Sequence, residues 1–482
     1  MIMLAAAGKL GCVMNSRGRD MKRTVLCYGT SVLVCIGLLC VQGRSTQTQG
    51  TKEINAPQRQ AQAAASPCWV YDPNPSNIWN RLYAALLIRE DPTGIKYGTD
   101  SLDPLLWPST KYLLAQPSHE RALRILDEFL QTHAESLNHD PVKRAILQRD
   151  LWAVFDWSVK RQGVRQGEPS YDGEKRELQI RLAEVLRRLA LTPQQIESLP
   201  DNYAQAVASG EFAKEYDPAH RDRAFLPPDL FEQHGPWVAV SGYPEPVATA
   251  HASAFSRSSF LVFVRLPGGR KATFDYFHTL WDFPQPWIPR PDTAPDQTVV
   301  NPDLPQFPAG TEVALIRQMM LFDNQGNLVA TPITESVQIR VYRAIAKSGQ
   351  DCYEIRLSRP QLFGSKSGGL RAIASNEKEF FIFNFSGPDE HEVSPTARWS
   401  LDKYLPVLEE CVACHRGIGI NSLNSRSKLL KPNWLQHDHP AEFYEPVHNR
   451  GWWEGTATLN LKENRYDWGL LNGYWKASGG LH

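Results

Sequence analysis

Patterns that mark common catalytic machinery are missing from these 482 residues. There is no Gly-x-Ser-x-Gly elbow, no glycine-rich phosphate loop, no His-Glu-x-x-His pair and no dinucleotide fingerprint. Asp and Glu are too dispersed for any carboxylate pair to stand out. Charge of one sign is missing as well: 52 Lys and Arg balance 52 Asp and Glu, for a formal net charge of zero. Without a basic block or stripe, nothing indicates a nucleic-acid partner or a membrane-surface helix. No internal repeat recurs. Methionine is scarce, and beyond the first 43 residues only Met319 and Met320 remain. Beyond the same point the cysteines are Cys68, Cys352, Cys411 and Cys414. What is plentiful is tryptophan (14) and proline (35), which indicates aromatic-rich packing joined by long ordered loops.

Residues 1–43 read as a signal peptide or an N-terminal anchor. Met21-Lys22-Arg23 is a basic start, and the residues before it look like an over-extended beginning. Val32–Val41 is an apolar run of signal-peptide length, and Val41-Gln42-Gly43 allows cleavage before Arg44. Left uncleaved, the run counted from Thr24 is about eighteen residues, the lower limit for spanning a bilayer, and Tyr28-Gly29-Thr30-Ser31 interrupts it. Leu39 is too bulky before Cys40 for a lipoprotein signal. The expectation is a periplasmic or otherwise extracytoplasmic protein, with membrane anchoring as the alternative.

One short run carries chemistry. Cys411-Val412-Ala413-Cys414-His415 spaces two thiols so that they can reach the two vinyl groups on one porphyrin edge, and the next residue then offers an imidazole to the iron. The same Cys-x-x-Cys pair could instead form half of a zinc site. A thioredoxin-like redox pair is a third reading, but no βαβ pattern surrounds it.

Periodicity divides the rest of the chain. Residues 44–67, rich in Gln, Ser, Thr and Ala, read as a flexible linker. Residues 68–215 have helical period: Ser76, Ser118 and Asp140-Pro141 are start signals, Leu178, Leu182, Val185 and Leu189 form a stripe, and Thr192-Pro193-Gln194-Gln195 is a capping box. Residues 230–390 change to a period of two. Strands are predicted at Phe260–Val264, Lys271–Phe277, Val313–Phe322, Leu328–Thr331, Val337–Val341, Tyr353–Leu357 and Phe380–Phe385, with a turn at Asp323-Asn324-Gln325-Gly326. That series predicts an antiparallel sandwich or barrel. The proline-rich stretch Phe283–Pro308 either lines a site or covers a sheet edge. Residues 398–482 hold the motif, with a helix entering it whose first turn contains Pro406. The fold class is therefore α+β and multidomain: an N-terminal α-helical domain, a central antiparallel β-rich domain and a small C-terminal haem-binding region.

At Cys411, Cys414 and His415 the chain resembles the c-type cytochromes. The resemblance covers only the motif and its flanking helix. It implies one covalent haem c, His415 as proximal iron ligand, one-electron transfer and a redox partner protein. Small cytochromes of this kind usually supply a Met downstream as second ligand, and here no Met follows the motif. His437, His439 and His448 do follow and are the distal candidates. His437 and His439 would also complete a Cys/His zinc site. An open sixth position would suit peroxidase-like chemistry, but no Arg/His pair at peroxidase spacing accompanies the motif. Whether the chain is an enzyme stays open: an oxidoreductase using the haem as relay and a haem-based sensor or structural protein are the rival readings. The tryptophans after the motif are expected to pack around the porphyrin. With haem on Cys411 and Cys414, an oxidising compartment leaves Cys68 and Cys352 as a candidate disulfide.

Overall fold

Helix-start signals act locally, and four helices begin at or within one residue of the signals named above. The computed structural model describes residues 70–90, 96–100, 113–114, 117–159, 170–242, 246–254, 256–290, 297–347, 349–380, 404–431, 442–444 and 453–479. In α1 (Ile78–Leu87) the cap is Asn77, one residue beyond the expected Ser76, and its Oδ1 accepts the Trp79 N–H at 2.9 Å. α2 spans Ser118–Gln131. α3 (Pro141–Val159) opens on Asp140, whose Oδ1 accepts the Val142 N–H at 2.8 Å, with proline at the first position, where no donor is lost. α4 (Asp172–Leu189) buries the predicted leucine and valine stripe. In α5 (Pro193–Glu197) both halves of the capping box form, Gln195 N–H to Thr192 Oγ1 at 3.2 Å and Thr192 N–H to Gln195 Oε1 at 3.0 Å. α6 is Asn202–Ser209.

The remaining elements, in chain order, complete the fold. Before α2 lie two short strands, β1 (Arg89–Glu90) and β2 (Lys96–Tyr97). After α6 come β3 (Val238–Ser241), α7 (Thr249–Ala254), β4 (Ser258–Arg265), α8 (Gly269–Asp282), β5 (Trp287–Pro289) and β6 (Thr298–Val300). They are followed by β7 (Thr311–Phe322), β8 (Leu328–Tyr342), β9 (Gln350–Leu357), α9 (Arg359–Phe363), β10 (Leu370–Ala372) and β11 (Lys378–Phe380). The C-terminal part holds β12 (Tyr404–Pro406), α10 (Val407–Cys414), β13 (Glu442–Tyr444), α11 (Trp453–Glu463) and α12 (Tyr466–Ala477). Residues 59–482 form one compact unit. The long apolar run near the N-terminus lies outside the described residues, and among those residues no helix is long and apolar enough to cross a membrane.

An α+β fold with an antiparallel sheet is what the chain adopts, but the sheet is neither a sandwich nor a barrel. Seven strands form one sheet in the order β10-β9-β8-β7-β4-β3-β13. Both of its faces are covered, which removes the need for a second sheet. Leu261 and Phe263 of β4, Ala314 and Ile316 of β7, Val337 and Ile339 of β8, and Tyr353 and Ile355 of β9 join the core of helices α1–α6 and α12. The alternate residues Val262, Val264, Val313 and Tyr342 join a second core with Tyr276, Phe277 and Leu280 of α8. A period of two therefore sorts side chains between two buried layers rather than between core and solvent.

The predicted strand Lys271–Phe277 is helix α8. Thr273, Tyr276, Phe277 and Leu280 are its buried face, a helical spacing carried by residue types that favour strands. The predicted strands Leu328–Thr331 and Val337–Val341 are one strand, β8. Where β7 and β8 slip in register, Asn202 takes up the freed backbone of Thr334: Oδ1 accepts its N–H at 2.7 Å and Nδ2 donates to its carbonyl at 3.0 Å. Trp468 and Trp475 do not surround the motif. They pack with Trp152 and Phe322 in the helical core, with centroids 5.9 Å apart for Trp152–Trp468 and 4.8 Å for Phe322–Trp475. Trp434 and Trp452 lie outside the described residues.

Charges buried in the helical core are paired. Asp156 accepts from Arg257 and Lys462, each at 2.7 Å, and Lys462 also donates to Asp467 at 2.9 Å. Burial works against the Asp156 charge, but Lys462 and Arg257 hold its carboxyl below the usual range.

Candidate functional site

Pro406 ends β12, and α10 starts at the next residue, so the proline precedes the helix into the motif instead of occupying its first turn. α10 packs against β9, and the half-buried Cys411 donates its thiol to Glu354 Oε2 at 3.5 Å. Cys414, one helical turn on, is exposed. Glu354 lies on the same face of β9 as Cys352 and Arg356, opposite Tyr353 and Ile355.

After Cys414 the chain coils tightly and returns to its own start. Two glycines permit this. A Cβ on Gly417 would lie 2.1 Å from the Asn421 carbonyl oxygen, and one on Gly419 would lie 2.0 Å from Gln306 Oε1, at a φ of +54°. The coil places the Ser422 carbonyl 2.8 Å from His415 Nδ1. A carbonyl can only accept, so Nδ1 carries the proton and the Nε2 lone pair is left for a metal.

Three neighbours hold this coil on the sheet. Arg340 of β8 donates to the Ser422 carbonyl at 3.2 Å and to Tyr342 Oη at 3.0 Å, and Tyr342 Oη lies 2.6 Å from Ser422 Oγ. Gln350 of β9 donates to the His415 carbonyl at 3.1 Å. The proline-rich excursion supplies Gln306, which accepts the Ile420 N–H at 2.9 Å, and Phe307, whose ring centroid is 4.6 Å from that of Tyr342. The excursion therefore buttresses the motif from behind.

Burial, reinforced by Arg340, pushes His415 down to about 4, and the charge of His251 acts in the same direction. Burial and Arg340 likewise push His251 down to about 4. Both imidazoles are therefore neutral at physiological pH, the state in which each has a lone pair to give. Burial, with Glu354 adding to it, raises the Cys411 thiol far above its usual range, and burial lifts Cys352 to about 11.

Cys411, Cys414 and His415 thus come together on α10 and its coil, with Cys352 on the strand beneath. His437, His439 and His448 lie outside the described residues, as does Cys68 and with it the Cys68–Cys352 pairing. Among the described residues no group of three or more His, Cys, Asp and Glu side chains gathers as a metal site. His251, which sequence reasoning did not single out, also lies on this face of the sheet. It sits in an alanine-rich stretch with no motif spacing, and only the pairing of β4 with β7 and β8 brings it to this face.

The residues present fit a covalently held haem. They offer two thiols on one turn of helix, an imidazole oriented by a carbonyl with its other nitrogen available, and Arg340, which bonds to a hydroxyl and a carbonyl rather than to a carboxylate. A separate cleft of about 430 Å³ between α2, α4 and α12, lined by Asp127, Arg181, Glu184, Tyr474 and Trp475, contains no residue of the motif. Comparison with known proteins found no matching family model, no curated protein and no solved structure of significant similarity.

Proposed function

We propose that this chain is an exported c-type cytochrome with one haem, which passes electrons to or from a redox partner protein in a periplasmic or other extracytoplasmic compartment. The observation that carries this reading is the orientation of His415 by the Ser422 carbonyl, directly after two cysteines one helical turn apart. Cys411 and Cys414 would hold the group: each thiol S–H adds across a vinyl, so that sulfur bonds one vinyl carbon and the proton ends on the other. Bound there, haem c supplies a one-electron couple. His415 would hold the iron, with Ser422 fixing its tautomer. Arg340 would place a positive charge beside that ring, where a propionate or the iron would feel it. The small haem-binding C-terminal region of this reading is built on the sheet, since Tyr342, Gln350 and Glu354 support the motif.

The test is expression with a cytochrome c maturation system. The expected result is haem that stays with the chain through denaturing electrophoresis and is lost in the Cys411→Ala, Cys414→Ala double variant. A folded wild-type protein that carries zinc and no haem would overturn the proposal.

A further inference from the structure

We propose that His251 is the second axial ligand of the iron that His415 holds, an assignment that rests on the haem c reading. The helix α7 that carries it lies against β4, and its ring packs on Phe260 with centroids 5.5 Å apart, tilted by 39°. Phe260 belongs to the motif's side of the sheet. It pairs with Arg317 of β7, Arg317 with Ser336 of β8, and Ser336 with Arg356 of β9. The next row on that side runs Val262, Leu315, Gln338 and Glu354. α7 therefore stands over one edge of this patch and α10 over the other, with Cys411 on Glu354.

The two imidazoles also share charged neighbours. Arg340, which holds the Ser422 carbonyl beside His415, also acts on His251, and Glu354, the partner of Cys411, acts on His251 as well. A charge on His251 would also disfavour one on His415. His251 is moreover a half-buried imidazole whose ring nitrogens make no hydrogen bond to a described residue, which leaves them open to a metal. No methionine follows the motif to compete, and Met319 and Met320 are buried in the helical core on the other side of the sheet.

The experiment uses the full matured chain, with electron paramagnetic resonance, near-infrared absorption and carbon monoxide binding as readouts. The wild type is expected to give a six-coordinate, low-spin spectrum with two nitrogen ligands and slow carbon monoxide binding. His251→Ala should lose the low-spin signal, bind carbon monoxide rapidly and recover the low-spin signal when imidazole is added. His251→Met, which keeps a ligand and guards against a folding defect, should gain the charge-transfer band of a thioether. Haem that keeps the wild-type spectrum in both variants would overturn the assignment and leave the haem reading standing, and loss of the signal on changing His437, His439 or His448 instead would overturn it equally. A wild-type chain without covalent haem overturns the haem reading, and the ligand falls with it.

Discussion

Ile339 and Arg340 are neighbours on one strand and point into two different chemistries. On the side of Ile339 the sheet meets α3, α12 and the tryptophans in a continuous apolar core. On the side of Arg340 the same strands present Arg317, Gln338, Cys352, Glu354 and Arg356 beneath the motif and His251. The first face is closed by packing. The second combines an apolar core beneath α8 with a polar patch held by charge and by hydrogen bonds to backbone carbonyls, and two neutral imidazoles belong to it. On our proposal a sheet buried on both sides divides labour, with packing on one face and a site on the other. Substitutions on the two faces should therefore fail in different ways.

The largest effect is expected deep in the helical layer, at Asp156. Asp156→Asn leaves Lys462 and Arg257 buried without their shared carboxylate, a loss of about 3–5 kcal/mol. Thermal or urea melts of the full chain would measure it. Because the folded pKa of Asp156 is depressed, its contribution is complete above the unfolded value of about 4 and is lost as pH falls toward the folded value. The variant should thus be less stable than the wild type at neutral pH, and the gap should narrow in acid. A gap that stays constant from neutral to acid pH would show that the Asp156 charge is not what stabilises.

A direct comparison of faces follows at two adjacent positions. Ile339→Ala removes a fully buried side chain and should lower stability by about 2–4 kcal/mol while leaving the haem spectrum of the folded protein unchanged. Gln338→Ala, half-buried on the other face, should cost under about 1 kcal/mol. Urea titrations followed by far-ultraviolet circular dichroism and by haem absorbance separate the two. Equal costs at both positions would dissolve the distinction between the faces.

Legibility in the sequence follows the range of each interaction. The Thr192–Gln195 capping box, the Asp140-Pro141 start and the Asp323–Gly326 turn were readable because each is closed within a few residues, as when Asp323 Oδ1 accepts the Gln325 and Asn327 N–H groups at 2.9 Å. α8 was misread because Thr273, Tyr276 and Phe277 are strand-favouring residues placed at helical spacing, and tertiary packing outweighed propensity. The sandwich expectation failed because alternation reports that two faces differ, not what covers them. Of the proposed site, Cys411, Cys414 and His415 were legible as a local motif. His251 was not, because it reaches the patch only through strand pairing remote in sequence, and Ser422 was not, because its role is played by a backbone carbonyl that any residue would have.

Arg340 tests the site face by charge. Arg340→Leu removes hydrogen bonds to Ser422 and Tyr342 and should cost about 1–2 kcal/mol, less than Ile339→Ala. Its signature should lie in the potential. A cation near the iron disfavours the oxidised form, which carries the extra positive charge, so removing it should lower the midpoint potential by on the order of tens of mV. Redox titration checks the direction, and Arg340→Lys should recover most of the shift. A potential that does not move in Arg340→Leu would place the guanidinium too far from the iron to matter.

The smallest effect is one of rate, at Cys352. This thiol lies on the site face of β9, half-buried, and burial lifts it to about 11. At pH 8 only about one molecule in a thousand would carry the reactive thiolate, against roughly one in four for an ordinary thiol, so alkylation should run roughly two-hundredfold slower than at a free cysteine before any steric factor. Haem-loaded protein is the right material, because Cys411 and Cys414 are then blocked and peptide mass spectrometry reads Cys352 and Cys68 without interference from the motif. Slow first-order alkylation of the native chain, rising about tenfold per pH unit, would confirm that burial of a thiol controls this position. A Cys352 that resists alkylation even after unfolding, and reacts only once a reductant is added, would instead establish the bridge to Cys68. In that case the site face would be tied covalently to the segment that follows the N-terminal linker, and would owe part of its rigidity to a bond rather than to hydrogen bonds alone.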